Sequence, residues 1–197
     1  LLLAQVALAD HLELKFYAAV GYSQGAIECA KLLTVDKRIC CGVIGGQGDS
    51  ICDGEWLQSY GIDTLAVALE RRANGLPIDA ARTERMRSEG LADPENFVEN
   101  ILAGGGSLLC MANVQRGQSV ASPEELATIR CPVLCLTGDQ DFTGGDNAKL
   151  ASHIPQGRVV YIEGHDHGST VATPEFSAEL LSFLREHMPP GGTTPKL

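Results

Sequence analysis

Basic side chains are scarce in this sequence, with 15 Lys and Arg against 25 Asp and Glu and a formal net charge of −10. A protein that tracks a nucleic-acid backbone needs the opposite balance, so no nucleic acid is expected among its partners. No apolar run approaches the roughly 18 residues a spanning helix requires, and no membrane partner is expected either. None of the seven cysteines (Cys29, Cys40, Cys41, Cys52, Cys110, Cys131 and Cys135) is spaced CxxC. That removes a zinc ribbon and a thioredoxin-type motif. The cysteines sit mostly inside apolar stretches and read as small buried hydrophobes in a reducing, cytoplasmic compartment. The start, Leu1-Leu2-Leu3-Ala4-Gln5, has neither a basic leader nor an A-x-A site, and Asp10 and His11 follow closely. It reads as helix rather than as a secretory signal. No initiator methionine is present, and the chain is expected to begin partway through a longer sequence.

What is present is ordinary globular material. Apolar residues make up 44% and charged residues 20% of the 197 positions, too apolar for a disordered tail. A chain of this size buries about 70% of its unfolded surface, enough for a core without staples. Leu1, Ala4, Leu8 and Leu12 keep helical spacing, so residues 1–12 read as an amphipathic helix. Leu14 to Val20 reads as a buried strand, Gln24 to Leu33 as helix, and Arg38 to Ile44 as a second strand. Residues 47–122 are more polar and glycine-interrupted, with helical stretches near 62–74, 79–89 and 94–102. Pro123–Ile129 (helix), Pro132–Thr137 (strand), 146–153 (helix), 158–162 (strand) and 174–186 (helix) complete the alternation. Residues 188–197 read as a flexible tail. Strands alternating with helices on both sides of an insertion specify an α/β fold: a parallel sheet flanked by helices, with the core at 1–46 and 123–187. The 47–122 insertion is expected to form a small helical cap over one edge. Ligand sites in such sheets lie beyond the carboxyl ends of the strands.

The first strand end carries Gly21-Tyr22-Ser23-Gln24-Gly25, a G-x-S-x-G between strand and helix. A sharp turn of that kind crowds the backbone, lifts the serine hydroxyl clear of the sheet and aims helix N–H groups at whatever the serine attacks. The alternative is a serine that merely caps the following helix. A hydroxyl is a weak nucleophile, so the reactive reading requires a base and a group to orient it. The last strand ends in Glu163-Gly164-His165-Asp166-His167-Gly168, and the third in Gly138-Asp139-Gln140-Asp141. Serine, acid and histidine thus fall at three strand ends in that chain order.

Over about residues 1–186 the chain resembles the C-terminal two-thirds of alpha/beta-hydrolase fold enzymes of the small bacterial serine-hydrolase and esterase type. The likeness runs through Cys131-Pro132-Val133-Leu134, Gly138-Asp139-Gln140-Asp141, Ile154-Pro155, the histidine loop, Pro174-Glu175-Phe176 and Phe183-Leu184. The resemblance implies that the acid is Asp141, the last residue of the family's G-x-x-D, with Asp139 as the alternative. It implies that the base is His167, which lies seven residues before Pro174, with His165, nine before, as the alternative. Ser23 would then form an acyl-enzyme that water cleaves, and the N–H of Gln24 would be one oxyanion donor. The implied reaction is hydrolysis of a carboxylic ester or related acyl bond on a small molecule, without metal or organic cofactor. Carbon–carbon bond hydrolysis, perhydrolysis and a non-catalytic binding role on the same fold are the alternatives.

The likeness also implies about four strands ahead of the elbow and a second oxyanion donor among them, whereas 22 residues precede Ser23. An open edge beside the elbow strand is therefore expected, to be covered by missing strands, a partner or a homodimer. His165 and His167 with Asp139, Asp141, Asp146 and Asp166 also offer metal-ligand chemistry, but that leaves the serine turn unexplained. Gly45-Gly46-x-Gly48 and Gly104-Gly105-Gly106 match no phosphate-loop pattern and read as hinges. Trp56 and Tyr60 read as a pocket mouth or as internal packing, Met86 and Met111 as core filling, and Tyr22 as a wedge against the sheet.

Overall fold

The computed structural model describes residues 2–189. The tail expected over 188–197 lies outside the described residues from 190 onward, and Met188 packs against the sheet. In chain order the elements are α1 (Leu2–His11), β1 (Tyr17–Tyr22), α2 (Gln24–Val35) and β2 (Ile39–Gly45), then a 3₁₀ turn, Asp49–Cys52. Next come α3 (Gly54–Trp56), a π-helical stretch (Leu57–Ala66), α4 (Val67–Ala73), α5 (Ala80–Ser88), α6 (Pro94–Ala103) and α7 (Leu108–Arg116). The chain ends with α8 (Pro123–Leu126), β3 (Val133–Gly138), α9 (Asn147–Ser152), β4 (Gly157–Ile162), α10 (His167–Thr170) and α11 (Pro174–His187).

The four strands form one parallel sheet in the order β1-β2-β3-β4. All six residues of β3 are buried, as expected for an inner strand covered on both faces. On one face Cys41, Val43, Leu134, Leu136 and Ile162 pack with Phe176 and Phe183 of α11. On the other lies α2, whose Ala26, Ile27, Cys29, Ala30, Leu32 and Leu33 are buried. β1 is an outer strand among the described residues, with Val20 49% exposed.

The chain divides into two compact units, Asp53–Gln118 and the remainder. Residues 47–52 and 119–122, expected in the insertion, belong instead with the sheet. The helical unit has its own core, in which Ala66, Ala68, Leu69, Met86, Val98 and Ala112 are fully buried. Its helices start on short polar side chains: Asp79, Asp93 and Ser107 each accept from a main-chain N–H of the first turn. In the π-helical stretch the Thr64 hydroxyl donates to the carbonyl of Ser59, five residues back, at 2.8 Å.

Two further expectations need correction. The first strand begins at Tyr17 rather than Leu14, because the α1 end folds back on itself: Leu14 N–H donates to the Ala9 carbonyl at 3.0 Å, past Glu13 at φ 53°. Helix α7 was not expected, although Ser107 caps it and Leu108 and Ala112 keep its buried spacing.

Candidate active site

β1 runs straight into Ser23, and the turn it makes is tight. A side chain at Gly21 would place its Cβ 2.0 Å from the Gly25 carbonyl oxygen, so only glycine fits there. Gly25 is different: no heavy atom lies within 4 Å of its would-be Cβ, so crowding explains only one of the two flanking glycines. Ser23 holds φ 55° and ψ −121°, a backbone conformation that costs on the order of 1–3 kcal/mol in a residue with a side chain. Main-chain bonds hold it there: Ser23 N–H donates to the Gly45 carbonyl at 2.8 Å, and Ala26 N–H to the Ser23 carbonyl at 2.9 Å.

The serine hydroxyl does not cap α2, since no capping hydrogen bond forms from its side chain. Instead Ser23 Oγ lies 2.8 Å from Nε2 of His167, and Nδ1 of the same ring lies 2.9 Å from Oδ2 of Asp141. Serine, imidazole and carboxylate form one hydrogen-bonded chain across three strand ends, after β1, β3 and β4.

Asp141 is the anchored end, its side chain 1% exposed against 26% for His167. Its Oδ1 accepts from Thr143 N–H at 3.0 Å and its Oδ2 from the Thr137 hydroxyl at 3.2 Å. Burial pushes this carboxyl's pKa up, but the hydrogen bond and charge of His167, with the bonds from Thr143, outweigh it and leave the pKa below the usual range. The carboxylate therefore stays ionised throughout the neutral range.

His167 is held by its loop. Asp166 opens α10 with a capping box, accepting from Ser169 N–H at 2.9 Å while the Ser169 hydroxyl donates to it at 2.6 Å. The alternatives from the sequence take other roles. His165 contributes its main chain, its carbonyl accepting from Gln140 N–H at 3.1 Å, and Asp139 Oδ1 accepts from Gly164 N–H at 2.8 Å. Gln24 opens α2, directly after the serine.

The metal-cluster alternative is not assembled. Asp166 and Asp146 cap helices, Asp139 holds the last loop and Asp141 faces His167. Among the described residues no three His, Cys, Asp or Glu side chains are grouped to hold a metal ion. A Cβ at Gly45 or Gly46 would come within 2.7 Å of the Tyr22 ring, so both glycines make room for that side chain. The cysteine reading holds only in part: Cys29, Cys41 and Cys135 are buried, but Cys110 is exposed. Burial pushes the Cys29 and Cys135 thiols up to about 12. Thr137 and Thr143, which steady the acid, were missed because a hydroxyl or an N–H facing a carboxylate leaves no spacing pattern.

No protein-family model matches this sequence, and no curated protein matches it. Solved structures do. An alpha/beta hydrolase enzyme from a Medee basin deep-sea metagenome library superposes with a TM-score of 0.69 at 17% identity, over 93% of this chain and 70% of that one. MenH from S. aureus gives 0.69 at 17% identity, over 95% and 75%. A bromoperoxidase from Bacillus anthracis gives 0.57 at 23% identity, over 92% and 71%. At these identities the likeness speaks for architecture alone, and it agrees with the parallel sheet and its flanking helices: the chain has the alpha/beta-hydrolase fold.

Proposed function

We propose that this protein is a serine hydrolase that cleaves a carboxylic ester or a related acyl bond of a small molecule, with Ser23 as nucleophile, His167 as base and Asp141 as orienting acid. The observation that carries the reading is the single imidazole set 2.8 Å from the Ser23 oxygen and 2.9 Å from the Asp141 oxygen. Those are hydrogen-bond distances suited to proton transfer, and the serine sits on a strained strand-to-helix turn rather than in a capping role.

Asp141 fixes the tautomer with the proton on Nδ1, leaving the Nε2 lone pair to accept the Ser23 proton as the oxygen attacks the acyl carbon. The imidazolium that forms is stabilised by the buried carboxylate. Its proton goes to the departing alkoxide, leaving an acyl-serine. Water then attacks with His167 again as base, which releases the acid and restores the hydroxyl. The N–H of Gln24, the first residue of α2, would serve as a donor to the developing oxyanion; a donor of this kind is worth about 3–4 kcal/mol.

A fluorophosphonate probe tests the reading. It should label the parent chain at Ser23, label a Ser23→Ala variant not at all, and compete with a p-nitrophenyl ester whose hydrolysis that variant has lost. Hydrolysis that survives Ser23→Ala would remove the mechanism. A folded parent that the probe never labels would favour a binding protein on the same fold.

A further inference from the structure

Tyr22 precedes the serine, and its side chain reaches the loop that carries His167. Its hydroxyl donates to the main-chain carbonyl of His167 at 2.7 Å, across 145 positions of sequence. Its ring lies 5.3 Å from the His167 imidazole, tilted by 32°, and meets Phe176 of α11 edge-on at 5.6 Å. Gly45 and Gly46, at the end of β2, are bare on the side where the ring packs. Burial, first, and the nearby Asp141 carboxylate raise the Tyr22 pKa, so the phenol stays protonated and remains a donor.

We propose that Tyr22 is a positioning residue of the site, holding the His167 imidazole at proton-transfer distance from Ser23. The proposal rests on the serine-hydrolase reading and extends it to a residue outside the triad. The physical reason is a shared frame. Ser23 and Tyr22 are consecutive on one rigid turn, so a bond from Tyr22 to the His167 main chain references base and nucleophile to the same backbone. The capping box at Asp166 orders the histidine loop internally but ties it to no part of the elbow. Packing of the imidazole on the phenol restricts ring rotation, the other freedom that would lengthen the Nε2–Oγ contact. Small misplacements of this kind cost about 10²-fold in well-oriented reactions.

The test compares the full chain with Tyr22→Phe, which keeps the ring between the glycines and Phe176 and deletes only the donor. Two quantities are read from fluorophosphonate labelling: the end point, which counts competent sites, and the rate constant, which reports how well Ser23 is activated. The expected result is an unchanged end point with a rate constant lowered about 5- to 20-fold, together with a matching fall in kcat at constant KM on a p-nitrophenyl ester. An unchanged rate constant overturns the proposal. So does a lowered end point at an unchanged rate constant, which would mean that the hydroxyl only stabilises the fold. Tyr22→Leu, which also removes the ring, should slow labelling further than Tyr22→Phe; equal rates in the two variants would overturn the role given to the ring. If Ser23→Ala labels like the parent, the serine-hydrolase reading itself fails, and this proposal falls with it; parent labelling at Ser23 beside an unaffected Tyr22→Phe leaves that reading standing and removes Tyr22 alone.

Discussion

A serine at φ 55° would normally relax, and two main-chain bonds keep it from doing so: its N–H to the Gly45 carbonyl and the Ala26 N–H to its own carbonyl, in a turn that only a glycine at position 21 leaves room for. With the backbone held, the proposed mechanism makes the histidine decide reactivity. Replacing His167 with Ala should lower both p-nitrophenyl ester turnover and the Ser23 labelling rate by about 10⁴-fold or more. The same change at His165 should do far less, because what His165 contributes is a carbonyl that alanine retains. Equal losses at the two positions would mean that the loop rearranges and that the wrong histidine has been assigned. Ser23 stood out because glycines flank it at a strand end, whereas Asp141 and His167 were singled out from Asp139 and His165 only by the family resemblance. Tyr22 was legible only as a wedge. Its bond to a carbonyl 145 positions away has no trace in residue spacing.

At the level of elements, the starts of β1 and β2 are pinned at one carboxylate. Asp36, just after α2, accepts from the Tyr17 hydroxyl at 2.8 Å, from Arg38 N–H at 3.0 Å, and from the Arg38 guanidinium at 2.9 and 2.6 Å. The Arg38 guanidinium, more than the opposing cost of burial, brings its pKa down to about 2. A depressed carboxylate stabilises the folded state at all pH values above its unfolded pKa of roughly 3.9, and that stabilisation is lost as pH falls through the folded value. Asp36→Asn should therefore lower stability by about 1–3 kcal/mol at pH 7. In urea melts the gap to the parent should stay constant down to about pH 4.5 and close between about pH 4 and pH 2. A gap that persists at pH 2 would assign the loss to packing rather than charge. Helices α2 and α11 were readable from their apolar spacing. Helix α7 was not, because the glycines before it read as a hinge and its apolar spacing, Leu108 and Ala112 behind the Ser107 cap, is short.

On the scale of the whole molecule there are two cores, one on the sheet and one within Asp53–Gln118. Leu69 is fully buried in the second. Leu69→Ala should cost that unit about 2–5 kcal/mol, seen as lost hydrogen-exchange protection in α4 to α7. Protection unchanged in those helices would mean that Leu69 fills no essential space. No single helix among the described residues is long and apolar enough to cross a membrane.

Strand-helix alternation and the glycine-flanked serine were readable from the chain itself, because they depend on neighbours a few residues apart, and the chain order of serine, carboxylate and histidine at strand ends could be read directly. Which histidine faces the serine at 2.8 Å depended on where two distant loops come to rest. So did the reach of Tyr22 to the His167 carbonyl. The Ser23–His167 and Tyr22–His167 distances are set by packing between segments 144 and 145 residues apart, and only the folded sheet brings them together.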